Sequence, residues 1–168
     1  MTKLWLFLFW ISVAAAMTLA VPGAAHADDM LKGFEGVRSM TRTHADSQCI
    51  GTPRTPLCAV ETLLGCWAKK VPAFCDMVWD FNQVSEDEEQ SYYYKFRSAK
   101  VLELSDYGPM GRMDISVPGD VLLILDEYSC VDGYCRFPYF DGTEWILRKD
   151  GDNWRVLYYS SEGAEDDD

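Results

Sequence analysis

Basic residues are scarce in this chain. Its 168 residues include 15 Lys and Arg against 27 Asp and Glu, which gives a net charge of −12. Nucleic-acid binding depends on neutralising phosphates with Lys and Arg, and anionic lipid surfaces also attract basic segments. We therefore expect neither nucleic acid nor an anionic membrane surface among the partners of this protein.

Long uncharged apolar runs are limited to residues 4–21, which follow Lys3 and precede the small-residue triplet Ala25-His26-Ala27. This order predicts a secretory signal peptide that is cleaved between Ala27 and Asp28. The run approaches a membrane-spanning length, so an uncleaved anchor is the alternative. We expect cleavage, a periplasmic or secreted location, and no stable membrane insertion of the mature chain.

Histidine is also rare, and His44 is the one histidine that follows the predicted cleavage site. A single histidine excludes a metal centre built from several histidines. We expect His44 to be an exposed residue in a polar stretch. Redox pairs and zinc sites typically have cysteines at C-x-x-C spacing, and no two cysteines of this chain have it. The sequence therefore predicts no metal site and no cofactor.

Six cysteines lie beyond the predicted signal peptide, and an even number in an exported chain predicts a disulfide framework. Asp132-Gly133 favours a two-residue hairpin turn, which places Cys130 opposite Cys135 and Val131 opposite Tyr134. Cys58 and Cys66 lie eight residues apart on one predicted helix, too far along its axis to bond each other. The predicted pairs are Cys130–Cys135, Cys66–Cys75 and Cys49–Cys58.

Two helices are predicted in the first half of the mature chain. Thr55 is the expected N-cap of the first, with Pro56 as its first helical residue. Apolar residues then recur at helical spacing, at Leu57, Val60, Leu64 and Trp67. Pro72 begins a second helix, which is predicted to extend to Phe81.

Beyond residue 90 the apolar period changes from helical to two, which predicts strands. The first has Tyr92, Tyr94 and Phe96 on its buried face. The closing hairpin is predicted with Asp150-Gly151 as its turn, and this places Leu147 opposite Trp154 and Trp145 opposite Val156. Helices followed by antiparallel strands indicate an α+β fold.

Composition divides the chain into four parts. We predict a signal peptide at residues 1–27, a polar arm at residues 28–48, a single α+β domain at residues 49–160, and a disordered acidic tail at residues 161–168. The length that remains after cleavage suits one domain with its own core.

Two segments carry a resemblance to a known superfamily. The first is Thr55-Pro56-x-x-Ala59-Val60-x-x-Leu63-Leu64-x-x-Trp67-Ala68-Lys69-Lys70, followed by Phe74-Cys75-x-Met77-Val78, and the second is residues 145–156. They resemble the opening helices and the closing hairpin of small exported bacterial members of the nuclear transport factor-like superfamily. The resemblance implies a cystatin-like cone, in which an N-terminal helical hairpin packs in a curved antiparallel sheet. The superfamily includes ketosteroid isomerase-like enzymes, carriers and partner-binding domains, so the fold does not choose the function.

Two kinds of candidate site residue follow. Asp76 and Asp126 are candidate catalytic carboxylates if they point into an apolar interior, and solvent-exposed residues if they do not. Aromatic side chains could line a ligand pocket or simply form the core; these are Trp67, Trp79, Tyr92, Tyr94, Phe96, Trp145 and Trp154. The donor tyrosine that the resemblance implies on the first helix has no counterpart between Pro56 and Ala68.

No catalytic motif is identifiable in the sequence. We therefore expect an exported, disulfide-stapled binding or interaction module of the cell envelope, with a small apolar or aromatic ligand or an envelope protein as its partner. The alternative is a small cavity enzyme of isomerase or dehydratase type that uses a buried carboxylate. A third interpretation is a structural envelope protein whose sheet face forms a homodimer.

Overall fold

The computed structural model describes residues 27–80, 89–103, 115–131, 134–136 and 142–161. The elements are α1 (Ala27–Leu31), β1 (Arg38–Met40), α2 (Pro56–Lys69), α3 (Pro72–Val78), β2 (Gln90–Val101), β3 (Val121–Val131), β4 (Tyr134–Arg136), β5 (Thr143–Asp150) and β6 (Asn153–Ser161). The predicted α+β composition is confirmed at this level. The predicted signal peptide, up to residue 26, and the predicted acidic tail, beyond Ser161, lie outside the described residues.

The strands form one antiparallel sheet that curls into a half-barrel. Its strand order is β1-β2-β3-β5-β6, and the short strand β4 is an additional strand that pairs with β3. Helix α2 packs against β1, β2, β3, β5 and β6, and the face that it covers is called the inner face below. The core lies between this face and the helix. Within the described residues, no helix is long and apolar enough to cross a bilayer.

Helix α2 begins as its sequence predicts. The Thr55 side chain accepts a hydrogen bond from the Cys58 backbone N–H at 3.2 Å, and Pro56 occupies the first turn. The helix ends at Lys69, and the C-cap residue Lys70 has a left-handed conformation (φ 58°) that closes the last turn. Most of its side chains are buried, so α2 is a core helix with little solvent-facing surface.

Helix α3 is shorter than predicted. It ends at Val78, whereas the sequence predicts helix to Phe81, which lies outside the described residues. The backbone of Trp79 is extended, and its ring packs against Tyr159 of β6 with 5.6 Å between ring centroids. This tertiary contact, rather than local helix propensity, accounts for the early end.

The cysteine pairs Cys49–Cys58 and Cys66–Cys75 are disulfide-bonded, and both pairings were expected from the sequence. The second bond joins α2 to α3. Cys130 is also disulfide-bonded. Cys135 lies directly opposite it in the β3–β4 register, and Val131 lies opposite Tyr134, as the predicted turn requires. The Cys130–Cys135 bond itself stays a prediction.

The closing hairpin differs from its predicted register. Asp150 pairs with Asn153, so the two-residue turn is Gly151-Asp152 and not Asp150-Gly151. Gly151 has a positive φ of 60° and lies at the first central position, where a type II′ turn requires glycine. The predicted pairs of Leu147 with Trp154 and of Trp145 with Val156 are therefore wrong. Leu147 faces Val156, and Trp145 faces Tyr159.

The segment predicted as a polar arm contains α1 and β1, and β1 is an edge strand of the sheet. Met40 in β1 is fully buried. The Ser39 backbone N–H donates to the Asp46 carboxylate at 2.6 Å, and the Asp46 backbone N–H donates to the Ser39 carbonyl at 3.0 Å. A strand of three residues is too short to show an alternating pattern, which explains why the sequence did not predict it.

Candidate ligand site

Neither of the predicted catalytic carboxylates reaches the interior. Asp76 is exposed on α3. Asp126 lies on the outer face of β3, where its side chain is 45% exposed and forms an ion pair with Arg97. The condition for a catalytic role, a carboxylate that points into an apolar interior, is therefore met at neither position.

The next residue along β3, Glu127, lies on the inner face. It is the register partner of Tyr94 and shares its face with the buried residues Leu123 and Leu125. Its Oε2 atom is buried and has no hydrogen-bond partner among the described residues. Burial raises the pKa of the Glu127 carboxyl to about 7. Such a group exchanges a proton near neutral pH.

Aromatic rings from four elements meet at this part of the inner face. The ring of Trp67 on α2 lies 6.1 Å from Tyr92, 6.3 Å from Trp145 and 5.5 Å from Tyr159, measured between centroids. Trp145 and Tyr159 are stacked at 5.1 Å. With Trp79, which contacts Tyr159, these five residues form what is called the aromatic cluster below.

The aromatic cluster contains four of the predicted pocket residues and one, Tyr159, that the sequence did not predict. A β-bulge between Ile146 and Leu147 shifts the β5–β6 register, and this aligns Tyr159 with Trp145. Tyr159 remains 40% exposed, whereas Trp67 and Trp79 are half-buried. The cluster is therefore open to solvent on the side of Tyr159 and closed at Trp145, which is fully buried.

Glu127 lies within electrostatic reach of this cluster. Burial raises the pKa of the Tyr92 hydroxyl, and the negative charge of Glu127 raises it further. The same two causes, in the same order, raise the pKa of Tyr159. The Trp145 Nε1–H group is also buried and has no partner within the described ranges. A buried polar group without a partner costs about 1–3 kcal/mol, so two such groups in one region need an explanation.

The other predicted aromatic residues lie elsewhere in the core. Tyr94 and Phe96 continue along β2 on the inner face, with 5.8 Å between their ring centroids. Trp154 of β6 is half-buried and packs against the core, and its backbone N–H donates to the Pro53 carbonyl at 2.7 Å. The structure thus separates the predicted pocket residues into two groups, and Glu127 lies between them, opposite Tyr94 in the register and within electrostatic reach of the aromatic cluster.

A second acidic residue, Glu61 of α2, is fully buried and fully paired. Its Oε1 atom lies 2.9 Å from Arg38 Nε and accepts a hydrogen bond from the Tyr94 hydroxyl at 2.8 Å. Its Oε2 atom accepts a hydrogen bond from the Ser47 hydroxyl. Burial raises the pKa of the Glu61 carboxyl, and these three partners offset part of the rise. Arg38, Ser47, Glu61 and Tyr94 are called the Glu61 network below.

A surface groove of about 470 Å³ lies beside the Glu61 network. Its lining includes Phe34, Arg38, Asp46 and the disulfide-bonded Cys49 and Cys58. The guanidinium of Arg38 lies over the Phe34 ring at 4.8 Å from the centroid, an arrangement that favours a cation–π interaction. Arg38 is thereby held between the groove and the buried carboxylate.

His44 is exposed, as expected. Its Nε2 atom lies 3.0 Å from Asp46 Oδ1, and the Ser39 hydroxyl donates to Asp46 Oδ2 at 2.9 Å, so both contact the same carboxylate. The backbone N–H of Ser39, then its hydroxyl and His44, hold the pKa of Asp46 below its usual range. In the described part of the chain, no three His, Cys, Asp or Glu residues are grouped so as to hold a metal ion.

Sequence reasoning missed Glu61 and Glu127, and the signals that could have found them differ. Glu61 is the one acidic residue in the apolar run of α2, which is a readable sign of a buried partner. Glu127 follows a strand that is apolar on both faces, so its direction could not be read from alternation. Comparisons with protein-family models, with curated proteins and with solved structures find no match to this chain.

Proposed function

We propose that this protein is an exported binding module that holds a small ligand against the aromatic cluster, with Glu127 accepting a hydrogen bond from the ligand. In this proposal α2 and α3 form the helical hairpin of a nuclear transport factor-like cone, and the signal peptide is removed after Ala27. The disulfides support export, because such bonds persist in oxidising compartments. An intact mass that begins at Asp28 would support the cleavage.

The observation that carries the proposal is the buried Oε2 atom of Glu127, which has no hydrogen-bond partner among the residues that the structure describes. Buried carboxylates are stable in proteins when they are paired, and a ligand that donates a hydrogen bond would supply the missing partner. The other buried carboxylate, Glu61, has three partners of its own and needs none from a ligand.

The surroundings of Glu127 favour a ligand with an aromatic or apolar body. Ligand sites are mostly apolar and carry a few polar groups that fix orientation. The aromatic cluster supplies ring surface, and the partial exposure of Tyr159 leaves that surface accessible. The ligand class that fits is a small aromatic molecule with a hydroxyl or N–H donor.

Calorimetric titration of the full mature chain with p-cresol and with p-xylene tests this proposal. The two probes have nearly the same shape, but only p-cresol can donate a hydrogen bond. At pH 8, where Glu127 is largely ionised, we expect saturable binding of p-cresol that is about tenfold tighter than that of p-xylene, because a hydrogen bond to a charged group is worth about 1.5 kcal/mol or more.

The variant Glu127→Met keeps the length of the side chain and removes the acceptor, so it should bind the two probes equally. Asp126→Asn is the matched control, because it changes the adjacent carboxylate on the outer face and should keep the tenfold preference. Equal binding of both probes by the unmodified chain would contradict the role of Glu127. No saturable binding of either probe would contradict the binding module as a whole.

One observation favours a second candidate, the cavity enzyme of isomerase or dehydratase type. A carboxyl with a pKa of about 7 suits a general acid or base at neutral pH. The role assigned in the sequence to Asp76 or Asp126 would then belong to Glu127. Deuterium exchange next to the carbonyl of cyclohexanone in D2O, followed by NMR, would test it. Exchange that is accelerated by the protein and lost in Glu127→Met would favour the enzyme over the binding module.

A further inference from the structure

The two disulfides with nine-residue separations lie in different surroundings. Cys66 and Cys75 are fully buried in the core between α2 and α3. Cys49 is half-buried, and both Cys49 and Cys58 line the surface groove of about 470 Å³. An external reagent can therefore reach the first bond through the groove, whereas the second is enclosed.

The Cys49–Cys58 bond also contacts the Glu61 network. Cys49 Sγ lies 3.4 Å from Glu61 Oε2 and 3.8 Å from the Ser47 hydroxyl. In the disulfide, Sγ carries no hydrogen and the carboxylate gains nothing from the contact. A Cys49 thiol would find its hydrogen-bond acceptor already in place, so the contact stabilises the reduced form relative to the oxidised form.

The position of Cys58 also favours reduction of the Cys49–Cys58 bond. Cys58 is the third residue of α2 and lies in its first turn, where the helix N-terminus stabilises negative charge on a thiolate. A cysteine with a lower thiol pKa is the better leaving group in thiol–disulfide exchange. The two sulfurs are thereby distinguished, because Cys49 faces a carboxylate and Cys58 faces a helix N-terminus.

We propose that Cys49–Cys58 is a thiol–disulfide exchange site that an external dithiol reduces through the groove. One thiolate of the dithiol attacks Sγ of Cys49, the more exposed of the two residues, and the Cys49–Cys58 bond breaks. Its electron pair goes to Cys58, which leaves as a thiolate. The second thiolate of the dithiol then attacks the dithiol sulfur that is bonded to Cys49, and Cys49 is released as a thiolate. Cys49 takes up a proton, and the resulting thiol donates a hydrogen bond to Glu61. The protein gains two electrons, and the dithiol becomes a disulfide.

The test is a redox titration of the full mature chain in glutathione buffers, followed by alkylation of free thiols and mass spectrometry of the peptides. We expect Cys49–Cys58 to be half reduced at an effective ratio of reduced to oxidised glutathione at least tenfold lower than Cys66–Cys75. That difference corresponds to about 30 mV for a two-electron couple. Simultaneous opening of the two bonds, or earlier opening of Cys66–Cys75, would overturn the proposal without any variant.

The variant Glu61→Gln tests the positioning role of the carboxylate. Circular dichroism would first establish that the variant folds. In the folded variant, half reduction of Cys49–Cys58 should require a higher ratio of reduced to oxidised glutathione, closer to the ratio for Cys66–Cys75. The ratio for Cys66–Cys75 itself should not change. Asp126→Asn, which removes a surface carboxylate paired with Arg97, is the control and should change neither midpoint. A folded Glu61→Gln variant with an unchanged Cys49–Cys58 midpoint would remove Glu61 from the proposal.

Discussion

Glu61 and Glu127 are two inward-facing acidic residues with opposite environments. Glu61 is surrounded by Arg38, Ser47 and Tyr94, which satisfy both of its oxygens. Glu127 lies beside aromatic rings, and its Oε2 atom has no partner in the described residues. Burial raises the pKa of both carboxyls, and among the described residues hydrogen bonds and a cation oppose the rise only around Glu61.

This difference indicates a structural role for Glu61 and is the basis of the ligand-binding role that we propose for Glu127. The Glu61 network joins α2 to β1 and β2, so removing any member should destabilise the fold. The Oε2 atom of Glu127 has no hydrogen-bond partner within the described residues, so the ionised carboxylate should lower the stability of the fold. We therefore expect this residue to serve a purpose other than stability. Removing a member of the Glu61 network should therefore destabilise the fold, whereas removing the charge of Glu127 should stabilise it.

The largest effect is expected for Arg38→Met, which leaves the Glu61 carboxylate buried without its cation. Breaking a buried ion pair from one side costs about 3–5 kcal/mol. Urea denaturation followed by circular dichroism would measure the loss. Arg97→Met, which removes the exposed partner of Asp126, is the matched control and should cost less than about 1 kcal/mol. Equal costs would show that the Glu61 network carries no special share of the stability.

A smaller effect is expected from removing one hydroxyl at each site. Tyr94→Phe removes a hydrogen bond to the buried Glu61 carboxylate and should cost about 1.5–3 kcal/mol. Tyr159→Phe makes the same chemical change in the aromatic cluster, at a residue that is 40% exposed, and should change the free energy of unfolding by less than about 0.5 kcal/mol. A comparable loss at Tyr159 would indicate a hydrogen bond that stabilises the aromatic cluster.

An effect of the opposite sign, smaller than those of Arg38→Met and Tyr94→Phe, is expected for Glu127→Gln. Because the folded-state pKa is raised from 4.5 to about 7, the stabilisation associated with the protonated Glu127 is complete below pH 4.5 and is lost as pH rises through about 7. The variant should be more stable than the unmodified chain by roughly 1–2 kcal/mol at pH 8, allowing for partial solvent access, and equally stable at pH 4.

Thermal unfolding at the two pH values would measure this difference. Asp126→Asn should show no such pH-dependent gain, because its carboxylate is exposed and paired with Arg97. A Glu127→Gln variant that is less stable at pH 8 would mean that the ionised carboxylate has a favourable partner, and the contrast with Glu61 would disappear.

Local signals in the sequence predicted the local features of the fold. The N-cap at Thr55 and the opposition of Cys130 and Cys135 depend on residues a few positions apart, and both are found. Bulges are harder to predict, because one extra residue leaves no mark on composition. The bulge between Phe96 and Ser98 changes which residues of β2 face inward, so Ala99 is buried and Lys100 is exposed.

The candidate site was predicted in part for the same reason. Trp67, Trp79, Tyr92 and Trp145 were candidates because of their chemistry, and the structure brings them together. The candidate carboxylates in the sequence are Asp76 and Asp126, and Glu127 is not among them, since a strand that is apolar on both faces gives no way to decide which side chain points inward. The register of β3 against β2 decides it, and that register depends on the whole sheet.

The bonds between Ser39 and Asp46 bear on how copies of this chain can associate. Both backbone hydrogen-bonding groups of Ser39, at the centre of edge strand β1, are already used by Asp46. A free strand edge is a template for sheet extension and fibril growth, and an edge whose hydrogen bonds are taken is not. A second copy therefore cannot extend the sheet at Ser39, which leaves β6 as the edge strand at the other end of the sheet.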